Sequence, residues 1–227
     1  MYFEIVLCIG LIGTGLSVPW EAAAKGGNWP ETHQRLINQT VQHRTDIQLI
    51  FLGDSITARW ANVGRDVWAQ HYASRHAYNY GIEGDRTENV LYRIEDKEFD
   101  SINPKVLVMK IGTNNLGDCT APEISIGIYE IIRHLRAKLP NTKLLLLGVL
   151  PRDGNFGLKV EEINKIIAKF DDKKHVFFLD MSKHFSTAPG KEIPDLYDHD
   201  KVHLVLKGYQ VWQQAMEPLL KSLLGEK

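Results

Sequence analysis

Apolar and polar residues alternate along this chain in blocks rather than residue by residue. Five short apolar runs stand out: IQLIFLG (47–53), HAYNYGI (76–82), KVLVMKIG (105–112), TKLLLLGVL (142–150) and HVFFLD (175–180). Runs of this length, ending in glycine or preceded by Asn103-Pro104 or Pro140-Asn141, predict buried strands. The segments between them follow a helical period. ETHQRLINQTVQHR follows Pro30, which sits near a first helical position. RTENVLYRIEDKEF follows the second run, APEISIGIYEIIRHLRAKL the third and LKVEEINKIIAKF the fourth; GYQVWQQAMEPLLKSLL closes the chain. In the longest of these, Ile124, Ile128, Ile131, Ile132 and Leu135 share one face. Strands apolar on both faces, each followed by a helix, predict an α/β fold with a five-stranded parallel sheet covered on both sides. No internal repeat or second core is visible, and residues 29–227 read as one domain.

In an open parallel sheet, ligands lie beyond the carboxyl ends of the strands. The residues to read are therefore Gly53-Asp54-Ser55, Gly81-Ile82-Glu83-Gly84-Asp85, Gly112-Thr113-Asn114-Asn115, Leu150-Pro151-Arg152 and Asp180. A serine hydroxyl there is a poor nucleophile unless a base lies within hydrogen-bond reach and a third group orients the base. The best base lies in DHDKVHLVLKGY, where Asp200 and His203 are three residues apart, so one short turn can join carboxylate and imidazole. Acyl transfer also needs donors aimed at the developing oxyanion. The Ser55 N–H, the Gly84 N–H and the Asn114 side-chain amide are the candidates on that rim. Asp54 is expected to shape the tight turn, Asn115 to support its loop, Arg152 to pair with a carboxylate, and Trp60, Trp68 and Trp212 to pack helices.

Composition narrows the function classes. Of 227 residues, 24% are charged, yet the net charge is only -1, and no basic stripe marks a nucleic-acid partner. Two cysteines, Cys8 and Cys119, exclude a disulfide scaffold, and the spacings of a zinc site are absent. No phosphate-cradling glycine motif follows the first strand, which disfavours a nucleotide binder. The apolar run Ile5–Leu16 is shorter than the about 20 residues that span a bilayer, so no stable membrane insertion of the mature chain is expected. Residues 1–18 fit a signal peptide, although Glu4 precedes the run and no Lys or Arg does; secretion is the expectation and a cytoplasmic chain the alternative. Residues 19–28 read as a linker or arm, and Asn38-Gln39-Thr40 is a glycosylation sequon.

GDSIT, GIEGD, GTNN and DKVH, in that order, resemble the four blocks of the SGNH (GDSL-type) esterases. The resemblance runs from about Trp29 to the C-terminus. Its surroundings, FLGDSI, NYGIEGDRTENVLYRI, PKVLVMKIGTNN, LLLLGVLPR and HLVLKGY, are most similar to the catalytic subunits of intracellular platelet-activating factor acetylhydrolase and their bacterial relatives. It implies a flavodoxin-like three-layer α/β/α sandwich, no metal or organic cofactor, and hydrolysis of short acyl esters, typically acetyl. Carried over block by block, Ser55 is the nucleophile, Asp200 the orienter and His203 the base, with Ser55, Gly84 and Asn114 as oxyanion donors. Two departures bear on this. Glu83 stands where the family usually has glycine, which narrows or charges the rim, and extra residues leave Asp195, Asp198 and Asp200 ahead of His203. Asp200 has the usual spacing, and Asp198 is the reserve. The expected function is a serine esterase acting on a small acylated lipid or carbohydrate. Its alternatives are a carbohydrate O-acetylesterase of the same mechanism and a non-catalytic binding module on the same fold. The relatives it resembles form dimers, which leaves a homodimer open for this chain.

Overall fold

The structure, a computed structural model, describes residues 18–188 and 190–226. The apolar run at 5–16 and Cys8 lie outside the described residues. Five parallel strands form one sheet: β1 (Leu49–Gly53), β2 (Ala77–Gly81), β3 (Val106–Lys110), β4 (Lys143–Leu147) and β5 (Val176–Leu179). Their order is β2-β1-β3-β4-β5. All five expected strands are present and parallel, each shorter than its apolar run by a few residues at the ends.

The period of two along β1 explains the layers. Ile50 and Leu52 face one core with Leu107, Met109, Leu144 and Leu146. That core is covered by α1 (Trp29–His43), α4 (Thr87–Glu95), α5 (Ala121–Lys138) and α6 (Phe156–Ile167). Leu49 and Phe51 face the other core with Val106, Val108, Leu145 and Leu147. There α2 (Ser55–Ala58), α3 (Arg65–His71), α7 (Ser182–Phe185) and α8 (Leu206–Leu224) supply the cover. Trp60 and Trp212 are fully buried in it, among Phe51, Trp68, Tyr72 and Tyr209, the packing role expected of them. The long apolar stripe of α5 is buried at every position the period marked, and its N-terminus carries a Thr120/Glu123 capping box.

Three short helices and a hairpin go beyond the expected elements. α2, α3 and α7 are four to seven residues long, and β6 (Ser186–Ala188) pairs antiparallel with β7 (Lys191–Glu192). Segments this short carry less than two turns of periodic signal.

β1 is the centre of the site. The chain crosses from β1 to β2 on one side and later places β3 on the other, so the strand order reverses at β1. Loops leaving β2 and β3 therefore diverge around the end of β1, which is where such folds open a crevice.

Candidate active site

Gly53 ends β1 between two backbones. A Cβ there would collide with the Lys110 carbonyl and the Thr57 side chain, so the position takes only glycine. The constraint is space, not left-handed geometry, since Gly53 is not among the residues with positive φ. The next residue, Asp54, caps α2 by accepting the Ile56 N–H at 2.9 Å. Ser55 thus stands at the first position of a four-residue helix, with its side chain almost fully enclosed. Beneath it lies a charge that the sequence pattern hid. Lys110, the last residue of β3, is buried and donates to Asp54 at 3.2 Å and to Thr113 at 3.4 Å. Burial pulls its ammonium below the usual lysine range, against the opposing pull of Asp54.

Residues 198–203 form a closed loop ahead of α8. The Asp198 N–H donates to the His203 carbonyl at 2.7 Å, the Lys201 N–H to the Asp198 carbonyl at 2.9 Å, and Tyr197 bridges Leu204. Lys201 takes φ +55° at the tip of the turn. The turn folds the Asp200 carboxylate back onto its own loop. One oxygen accepts the N–H groups of Val202 and His203, each at 2.9 Å; the other meets His203 Nδ1 at 2.5 Å. Partial burial disfavours the Asp200 anion, but the bonds from His203 and the two backbone amides outweigh it and hold the carboxyl below the usual range. With Nδ1–H committed to Asp200, Nε2 of a neutral ring is an acceptor, and it lies 2.8 Å from Ser55 Oγ. The other two aspartates go elsewhere: Asp198 bonds His199, and Asp195 pairs with Lys207 at 3.2 Å. Lys201 is tied to Asp153, beyond β4, at 2.7 Å.

The loops after β2 and β3 meet in front of β1. The Ile82 N–H donates to the Gly53 carbonyl at 3.1 Å, which keeps the β2 loop beside Ser55. Gly84 takes φ +71°, a left-handed turn that glycine adopts without strain. Asn114 donates one of its two side-chain N–H groups to the Asp85 carbonyl at 2.8 Å. Asn115 is fully buried; it accepts the Thr87 N–H and donates to Glu88, which is the loop-supporting role expected of it. The Glu83 side chain turns outward, 63% exposed and 3.8 Å from Arg59, so it does not narrow the rim. Arg152 departs from expectation. Its guanidinium lies 5.6 Å over the Phe156 ring, with no carboxylate within ion-pair distance among the described residues.

Behind this turn lies a buried polar network that sequence reasoning did not find. Asp85 accepts from Trp29 Nε1 at 2.6 Å and Arg93 at 2.5 Å; Arg93 also donates to the Tyr80 carbonyl and to Glu98. Glu98 in turn meets His33 at 2.8 Å. Asp85, Arg93 and Glu98 are fully enclosed. Burial would drive Arg93 down, but Glu98 and Asp85 more than offset it and keep the guanidinium charged.

The arrangement supplies a hydroxyl with an imidazole acceptor, a carboxylate on the far ring nitrogen and free amide donors on the same edge of the sheet, the parts required for acyl transfer. Comparisons with known proteins agree with that chemistry. Residues 51–211 match the model of the GDSL-like Lipase/Acylhydrolase family. The chain is 30% identical to the human platelet-activating factor acetylhydrolase IB subunit alpha1 over 205 residues, 88% of this chain and 86% of the relative. It is equally identical to the chicken alpha2 subunit over 203 residues, 87% of this chain and 86% of that one. Among solved structures, a GDSL-like lipase from Bacteroides thetaiotaomicron superposes with a TM-score of 0.70 at 17% identity, covering 84% of this chain and 97% of that one. By its fold and by the extent of these matches, the chain belongs to the GDSL-like lipase/acylhydrolase family.

Proposed function

We propose that this protein is a serine esterase that hydrolyses short acyl esters, acetyl esters first among them, through Ser55, His203 and Asp200. The observation that carries the reading is the continuous chain of hydrogen bonds from Ser55 Oγ through the imidazole to Asp200. In the mechanism, Ser55 Oγ attacks the ester carbonyl as His203 Nε2 takes its proton. Asp200 stabilises the imidazolium and keeps the ring in the productive tautomer. The carbonyl oxygen becomes an oxyanion and receives the N–H groups of Ser55, Gly84 and Asn114. Collapse breaks the ester C–O bond; His203 returns its proton to the departing alcohol, and the acyl group remains on Ser55. A water then attacks and His203 takes its proton; collapse breaks the bond to Ser55 Oγ, His203 returns the proton to that oxygen, and the acid leaves.

An acetylated phospholipid is the proposed substrate class. Its support is the 30% identity over most of the chain to proteins named for hydrolysing platelet-activating factor. The test is a panel of an sn-2 acetyl phospholipid, acetylated sugars and p-nitrophenyl acetate, assayed with the wild type and Ser55→Ala in parallel. Turnover of the phospholipid by the wild type alone is the expected result. Preference for the sugars would move the substrate to carbohydrate. A correctly folded wild type with no turnover of any ester would make the chain a binding module.

A further inference from the structure

The N-terminal arm, residues 19–28, lies against the proposed oxyanion turn. The Ala23 N–H donates to the Glu88 carbonyl at 3.0 Å, and Asn89 donates back to the Ala23 carbonyl at 2.9 Å. Six residues on, Trp29 inserts its indole N–H onto Asp85. Between these anchors the exposed Lys25 reaches over the turn. Its Nζ lies 3.0 Å from the Gly84 carbonyl and 3.4 Å from the Glu83 carbonyl. It also occupies the space beside the Gly84 α-carbon, 2.5 Å from where a Cβ would stand.

We infer that Lys25 is a positioning residue for the oxyanion turn, strengthening the Gly84 N–H as a donor to the tetrahedral intermediate. This inference rests on the esterase reading above. The reason is the covalent arrangement of the turn. The Glu83 carbonyl and the Gly84 N–H belong to one peptide unit, conjugated through the C–N bond. A cation on that carbonyl draws electron density from the amide and makes its N–H a stronger donor, as in any polarised hydrogen-bond chain. The second contact, to the Gly84 carbonyl, holds the next peptide unit, whose carbonyl carbon is bonded to the Asp85 nitrogen. A single ammonium thus grips both peptide units that flank Gly84, at the left-handed residue of the turn. Its charge also favours a negative oxygen nearby, because opposite charges attract even at the screened surface of a protein. Both effects grow with negative charge on the substrate oxygen. They act on the transition state more than on the bound ester, and so on kcat rather than KM.

The experiment compares kcat and KM of the full chain for p-nitrophenyl acetate, a substrate with no anionic group, in the wild type, Lys25→Met and Lys25→Arg. Lys25→Met is expected to lower kcat about 5- to 20-fold with KM changed less than twofold, at an unaltered melting temperature. Lys25→Arg, which keeps a cation on the two carbonyls, is expected to retain at least half of kcat. A kcat for Lys25→Met within twofold of wild type overturns the inference, as does an equal loss in the Arg and Met variants. A loss confined to KM would make Lys25 a substrate-binding residue instead and likewise overturn it. A wild type without turnover, indistinguishable from Ser55→Ala, would remove the esterase reading itself. An active wild type with an unaffected Lys25→Met removes only the role of Lys25.

Discussion

On one side of Ser55, the groups proposed to activate it come from six residues closed on themselves. Asp200 and His203 are three positions apart, their loop is exposed, and their contacts are mostly to their own backbone. On the other side, the proposed oxyanion turn is braced from behind by Asp85, Arg93, Glu98, His33 and Trp29, gathered from 70 residues of sequence and enclosed by the core. Under the proposed mechanism, the difference follows from what each half would do. An imidazole that accepts and returns protons needs orientation and access to water, which a short surface turn supplies. Donors that must stand still while charge develops need a rigid backing, because reorganisation at that moment is what costs rate. Changes in the activating half should therefore cost little stability, whereas changes in the backing of the oxyanion half should cost much more.

Substitutions can break that contrast. The largest expected loss is at the nucleophile: Ser55→Ala should leave less than about a thousandth of wild-type kcat with the fold intact by circular dichroism. More activity than that would point to another nucleophile. Next, Asp200→Asn should lower kcat about 10²- to 10⁴-fold, since an amide favours the wrong tautomer of His203, while the chemical denaturation midpoint barely moves. Asn114→Ala should cost about 10²- to 10³-fold in kcat with a smaller change in KM. A loss in KM alone would make Asn114 a ground-state contact. Arg93→Met should behave differently in kind. It strands the Asp85 and Glu98 carboxylates in the core and should lower stability in urea by about 3–5 kcal/mol, as for any buried pair broken from one side. An Arg93→Met protein as stable as wild type would remove the contrast between the halves. The smallest effects belong to Asp198→Asn and Asp195→Asn, which should change kcat less than tenfold, because these carboxylates bond His199 and Lys207.

The sheet was legible in the sequence because a strand buried on both faces leaves a continuous apolar run, and five such runs alternated with helical stripes. Ser55, Asp200, His203, Gly84 and Asn114 were legible as candidates because each follows a strand or precedes the last helix, where this topology gathers loops, and because their blocks resemble one family; the structure joins Ser55, His203 and Asp200 by hydrogen bonds. What stayed hidden was charge inside the fold. Lys110 ends an apolar strand, and Arg93 and Glu98 sit in a helix and its exit. Pattern reading assigns such charges to solvent, because an ion is buried only with a partner, and the partners here, Asp54 and Asp85, lie on other elements. Lys110 did leave a trace, as the one ion in an otherwise apolar strand. Lys25 left none: it lies in a segment of small residues, and only the path of the arm over Gly84 gives it a neighbour. The short α2 and α3 and the β6–β7 hairpin were missed because their lengths carry no period.

The hydrogen bond between Ser55 and His203 spans 148 residues of chain. During synthesis the nucleophile, the oxyanion turn and most of the sheet emerge before the imidazole does. His203 lies just ahead of α8, whose Tyr209 donates to the Ile56 carbonyl at 2.7 Å, next to Ser55. Under the proposed mechanism, a growing chain is inert until His203 has emerged and met Ser55. Recovery of activity on refolding would then report when this C-terminal segment reaches Ser55.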